Sequence, residues 1–69
     1  MQSNSEIYRW GFVTTIRNKA EEEIETFESY GTYAENESEL LQKMKDYANR
    51  VWGSEVNVSI DNVERGTRV

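Results

Sequence analysis

The chain has 69 residues, 36% of them hydrophobic and 30% charged, with 13 acids against 8 bases, a net charge of −5, and no Cys, His or Pro. A chain this short makes one domain with a thin core, because folding hides only about 60% of the unfolded surface, yet its patterning and aromatic content are too high for disorder. Without Cys there is no disulfide framework, without Cys or His no ordinary structural zinc site, and the acidic balance opposes binding to nucleic-acid phosphates.

Two sources of stability remain, very good packing or self-association, so a homodimer is one expectation. The first six residues, Met1-Gln-Ser-Asn-Ser-Glu6, carry neither a basic nor an apolar leader segment. No apolar run approaches the roughly 20 residues that span a bilayer, so a cytoplasmic protein with no membrane partner is expected. Neither a repeat nor a linker interrupts the chain, which places a single domain at residues 6–63 with short tails at 1–5 and 64–69.

Residues 7–17, Ile-Tyr-Arg-Trp-Gly-Phe-Val-Thr-Thr-Ile-Arg, are rich in aromatic and β-branched types and lack a helix start, which predicts a strand. Its alternation puts Tyr8, Trp10, Phe12, Thr14 and Ile16 on a core face, and Ile7, Arg9, Gly11, Val13, Thr15 and Arg17 on the other.

Residues 18–33 read in two ways. As a hairpin, residues 18–21 turn the chain into a second strand over about 23–33, where Thr26, Phe27, Tyr30, Thr32 and Tyr33 favour β structure. As a helix, Asn18 caps, Glu21 follows three residues on, Ile24 and Phe27 lie at helical spacing, and Gly31 stops it. The β-formers from Thr26 onward favour the hairpin. Ile24 and Phe27 differ in parity, so the strand needs a bulge or a bend.

Asn36 as cap, Glu39 closing a capping box, and Leu40, Leu41, Met44, Tyr47, Ala48 and Val51 at three- and four-residue steps predict an amphipathic helix over 37–52, ended by Gly53. Residues 55–61 then alternate, with Val56, Val58 and Ile60 inward and Asn57, Ser59 and Asp61 outward, which predicts a half-buried strand. The fold class is thus α+β: a two-layer sandwich in the order ββαβ, with one helix on a three-stranded antiparallel sheet of order 2-1-3. One helix covers one face of three strands, so the other face is left to solvent or a partner.

Catalysis fails on inventory, since the commonest base and the best nucleophile are both missing. The four glycines are isolated and form no phosphate-binding loop. No enzyme activity, catalytic residue, cofactor or metal is expected. The acidic run is the most unusual feature: Glu21, Glu22, Glu23, Glu25, Glu28, Glu35, Glu37 and Glu39 follow one another with no base between them. Acids on an edge strand oppose edge pairing, and acids at a helix start favour the helix, which explains the run structurally. The functional explanation is an electrostatic footprint for a basic surface, such as one that normally holds nucleic acid. A carboxylate calcium site is a further reading, but the spacing matches no EF-hand loop. The candidate protein-binding residues are Glu21, Glu22, Glu23, Glu25 and Glu28 with Tyr30 and Tyr33, because tyrosines serve as interface anchors.

In its short length, its acidity, its lack of Cys, His and Pro, and the run EEEIETFESYGTYAENESELLQK, the chain resembles the small accessory proteins encoded by bacteriophages. The resemblance is of style across the chain and assigns no role to any residue. It implies a protein that binds and modulates or inhibits a host protein in the host cytoplasm, some members of that group doing so by presenting carboxylates where DNA phosphates would lie. Two alternatives stay open. One is a structural homo-oligomer joined by edge pairing or through the open face bearing Ile7, Val13 and Thr15, with acidity serving only solubility. The other is nucleic-acid binding through strand aromatics with Arg9, Arg17, Lys19, Arg65 and Arg68, against which the net charge argues.

Overall fold

The computed structural model describes residues 6–69; the tail expected at residues 1–5 lies outside them. The elements are β1 (Tyr8–Asn18), β2 (Glu23–Ala34), α1 (Glu37–Trp52) and β3 (Val56–Arg68). Both pairings are antiparallel and the strand order is β2-β1-β3. This is the expected ββαβ sandwich, with the most apolar strand at the centre.

The hairpin reading of residues 18–33 holds. Asn18 organises the connection: its Oδ1 accepts from the backbone N–H groups of Ala20 and Glu22, both at 2.9 Å. Its own N–H donates to the Glu22 carbonyl, and the Glu21 N–H donates to the Asn18 carbonyl. Glu21 sits at φ 65°, so Lys19, Ala20 and Glu21 form a three-residue loop that ends in a left-handed residue. An Asn side chain that hydrogen-bonds forward in this way builds a turn, and here it does so at the position where the same residue would have capped a helix.

Each edge strand carries two extra residues relative to β1. Ile24 and Gly31 are the additions in β2, where the pairing steps from Arg17↔Glu23 to Ile16↔Glu25 and from Gly11↔Tyr30 to Trp10↔Thr32. In β3 the pairing steps from Val13↔Asp61 to Gly11↔Glu64, around Asn62 at φ 52°, and again before Tyr8↔Arg68. The bulge at Ile24 reconciles the parities of Ile24 and Phe27.

Residues 64–68, expected as part of a tail, instead continue β3 along β1, and Val69 donates its N–H to the Ile7 carbonyl at 2.7 Å. The alternation of residues 55–61 stops at Asn62, which hides the continuation in the sequence. Close approach matters at Gly66, where a Cβ would meet the Arg9 carbonyl oxygen at 2.6 Å.

The helix matches its expected span, with Asn36 Oδ1 accepting from the Glu39 N–H at 2.9 Å. Glu39 does not close the box on Asn36: its carboxylate accepts from the Glu35 N–H at 2.6 Å, one residue further back. Gly53, at φ 88°, ends the helix and donates to the Asn49 carbonyl.

The helix side of β1 forms the core. Trp10, Phe12, Ala34 and Leu40 are buried together, with Tyr8, Met44, Ile60 and Val63 packed around them. The Trp10 indole N–H is satisfied by the Ala34 carbonyl at 2.8 Å, the partner a buried indole needs. Thr14 is also fully buried, and its hydroxyl has no hydrogen-bond partner.

Candidate protein-binding surface

The seven candidate residues occupy the hairpin turn (Glu21, Glu22) and β2 (Glu23, Glu25, Glu28, Tyr30, Tyr33), and all seven are exposed. They do not share one face. Residues directly opposite each other in an antiparallel pair point to the same side, so Glu23, Glu28, Tyr30 and Tyr33, opposite Arg17, Val13, Gly11 and Arg9, lie on the open face. Glu25 lies opposite Ile16, on the helix side. The acidic segment therefore wraps around the β2 edge, because the Ile24 bulge turns one carboxylate over relative to its neighbour.

Three of these acids accept side-chain hydrogen bonds. Glu21 accepts from Asn57 Nδ2 at 2.8 Å, joining the turn to β3, Glu22 accepts from Asn18 Nδ2 at 2.9 Å, and Glu28 accepts from the Tyr30 hydroxyl. Among the described residues, the one ion pair within 4 Å joins Arg68 to Glu6 at 3.3 Å, at the opposite end of the sheet. Among the described residues, no Lys or Arg side chain forms an ion pair with the carboxylates from Glu21 to Glu28. Their exposure explains why the fold tolerates them, since water screens like charges at the surface.

On the open face the sheet assembles more acid than β2 supplies. Asp61 faces Val13 and Glu64 faces Gly11 from the β3 side, so the open face carries Glu28 and Tyr30 on one flank of β1, and Asp61 and Glu64 on the other. The bulge at Asn62 gives Asp61 and Glu64 a common face despite their opposite parities. Asp61 is legible in the sequence as an outward residue, whereas Glu64 lies in residues 64–69, expected as a tail. Between the flanks, Glu28, Tyr30, Asn62 and Glu64 border a depression of about 170 Å³ floored by Gly11 and Val13. Ligand pockets run to roughly 300–1,000 Å³, so this depression suits a single side chain.

Tyr30 is 76% exposed. Its ring lies over Gly11, where a Cβ would sit in ordinary van der Waals contact with Tyr30 Cδ1 at 3.5 Å. Its hydroxyl donates to Glu28 Oε1 at 2.9 Å. That hydrogen bond, followed by the Glu28 charge, loss of solvent and the more distant Glu64, raises the Tyr30 pKa above the ordinary tyrosine value. Tyr33 is half exposed and lies across from Arg9.

The open face offers little apolar surface. Thr15 is buried, and Ile7 and Val13 are half-buried, so the face expected to present these three residues is dominated by its charged and hydroxyl groups. Arg9 and Arg17 stand toward its two ends, with Arg17 Nη1 donating to Ser59 Oγ at 3.4 Å.

Among the described residues, no helix is long and apolar enough to cross a membrane. No protein-family model matches the chain, and neither a curated protein nor a solved structure matches it significantly.

Proposed function

We propose that the chain is a non-catalytic binding protein that covers a basic site on a partner protein with the acidic surface of β2 and the adjoining sheet face, in the manner of a phage accessory protein modulating a host protein. The observation that carries this reading is the set of solvent-facing carboxylates from Glu21 to Glu28 with no ion-pair partner among the described residues, next to the exposed rings of Tyr30 and Tyr33. Unneutralised charge of one sign steers encounter with a surface of the opposite sign and rejects like-charged partners. The tyrosines supply what charge does not, a large contact area with few torsions to immobilise. Occupation of the partner's surface is the whole mechanism, and it requires no chemistry from this chain.

The test is affinity capture from host lysate with the wild-type chain and with a triple variant, Glu22→Lys, Glu23→Lys and Glu25→Lys, followed by mass spectrometry. The expected partner is retained by wild type at low salt, lost by the variant, and released at about 1 M salt, where the screening length falls to roughly 3 Å. A partner held equally by both proteins and unmoved by salt would remove the electrostatic reading.

A further inference from the structure

The helix does not cover the sheet evenly: α1 approaches β3 more closely than β2. The helix side of the first half of β2 is consequently left open. Glu25, which points to that side, is exposed, and Phe27, two residues on and so on the same side, is only half-buried. The Phe27 ring meets the edge of Tyr47 at a centroid distance of 5.9 Å, and Tyr47 meets Trp52 at 6.1 Å, both in near-perpendicular geometry. One helical turn beyond Tyr47, Val51 is 53% exposed, and Tyr47 itself is 40% exposed. Side chains four apart are neighbours on a helix surface, so Phe27, Tyr47, Val51 and Trp52 make an apolar strip reaching from β2 along the last turns of α1.

The charges around this strip indicate what would cover it. On the β2 wall stands Glu25, with Glu22 in the adjoining turn, while Glu23 points to the open face. On the helix wall are Asp46, Arg50 and Lys43, the last donating its ammonium to the Tyr33 carbonyl. A desolvated aromatic centre with a charged rim is the anatomy of a protein interface. A second copy of this chain fits poorly, because each copy carries a net charge of −5 and the two would repel as they approach. Four partly exposed side chains also fall well short of the roughly 800 Å² per partner of a stable globular interface. A single amphipathic segment with basic residues matches both the size and the charge.

We propose that the strip formed by Phe27, Tyr47, Val51 and Trp52 docks a basic amphipathic segment of the partner protein, its apolar side chains lying on the strip and its Lys or Arg residues against Glu22 and Glu25. This rests on the acidic-surface reading and adds an apolar anchor and a side: the partner wraps from the β2 edge onto the helix layer.

The probes are three synthetic amphipathic peptides: one of Leu and Lys, one with Glu in place of Lys, and one with Ser in place of Leu. Binding to the full chain is followed by backbone amide NMR shifts. The Leu/Lys peptide is expected to bind about tenfold more tightly than either control, with shifts centred on Phe27, Tyr47, Val51 and Trp52. Val51→Ser, at an exposed position that leaves the fold intact, should weaken that peptide about tenfold without changing the far-UV circular dichroism. Shifts centred on Glu28, Tyr30 and Glu64, with Val51→Ser neutral, would overturn the docking strip and leave the acidic-surface reading in place. Equal binding of the Leu/Glu peptide through the strip would overturn the electrostatic reading as well, and so would no binding by either Lys peptide at low salt.

Discussion

At the N-terminal end of α1, Leu40 is wholly enclosed by Trp10, Phe12 and Ala34, whereas at its C-terminal end Tyr47 and Val51 leave much of their surface in water beside a half-buried Phe27. The first end is reinforced by polar contacts: the Trp10 indole bonds to the Ala34 carbonyl, and the Arg65 guanidinium stacks 4.4 Å above the Tyr8 ring. The second has edge-to-face aromatic contacts and little above them. A small domain holds only a few kcal/mol in reserve, and here the large buried aromatic cluster lies at one end, while at the other Ile16 and Ala48 are fully buried beneath side chains that stay partly in water. Local stability follows buried contact density, so the cluster around Leu40 contributes more to holding the fold together than the partly solvated layer of Tyr47 and Val51.

The largest test of this contrast removes side-chain bulk from each end. Leu40→Ala should cost about 3 kcal/mol, which for a domain this size lowers the melting temperature by on the order of 15 °C. Tyr47→Ala should cost about 1 kcal/mol, since much of its ring is already solvated. Equal losses in thermal melts would erase the distinction. Gly66→Ala comes next: it forces a Cβ into the Arg9 carbonyl, and backbone cannot yield as a side chain can. A loss of about 2 kcal/mol is expected, with faster hydrogen exchange at the β1–β3 amides near Arg9 and Trp10.

Midway along the sheet, Thr14→Val keeps the shape and removes the unpartnered buried hydroxyl, so chemical denaturation should report a gain of about 1 kcal/mol. The smallest effect lies at the hairpin. Glu21→Gly relieves the positive φ of a non-glycine residue and gives up one exposed hydrogen bond to Asn57; a net gain of about 0.5 kcal/mol is expected.

The parts of the fold that were legible in the sequence were those specified by near neighbours. The Asn36 cap, the three- and four-residue apolar steps and Gly53 define α1 within one stretch of chain. The alternation of Val56, Val58 and Ile60 does the same for the start of β3. The bulges resist such reading because they are properties of a strand pair. Asn62 takes a positive φ to keep β3 in register with β1, and only that pairing turns residues 64–68 from a polar ending into an edge strand.

The candidate surface follows the same division. The carboxylates and tyrosines of residues 21–33 stand out by composition and are exposed. Their distribution over two faces depends on Ile24 and Gly31, and the addition of Asp61 and Glu64 depends on which strand flanks β1. The apolar strip needed more still, because helical periodicity assigned Tyr47 and Val51 to the buried face, and only the offset of α1 toward β3 leaves them uncovered.

The four register steps, two in each outer strand and none in β1 itself, bear on how this protein behaves when crowded. Cross-β fibres grow by laying long, straight, unpaired rails against one another. Here both rails are kinked twice, and the longest regular stretch between kinks in β2 runs only from Glu25 to Tyr30, with a carboxylate projecting from each side. Highly concentrated solutions of the folded chain should therefore remain free of thioflavin-positive filaments, and a variant without the Ile24 and Gly31 insertions should be the first to form them.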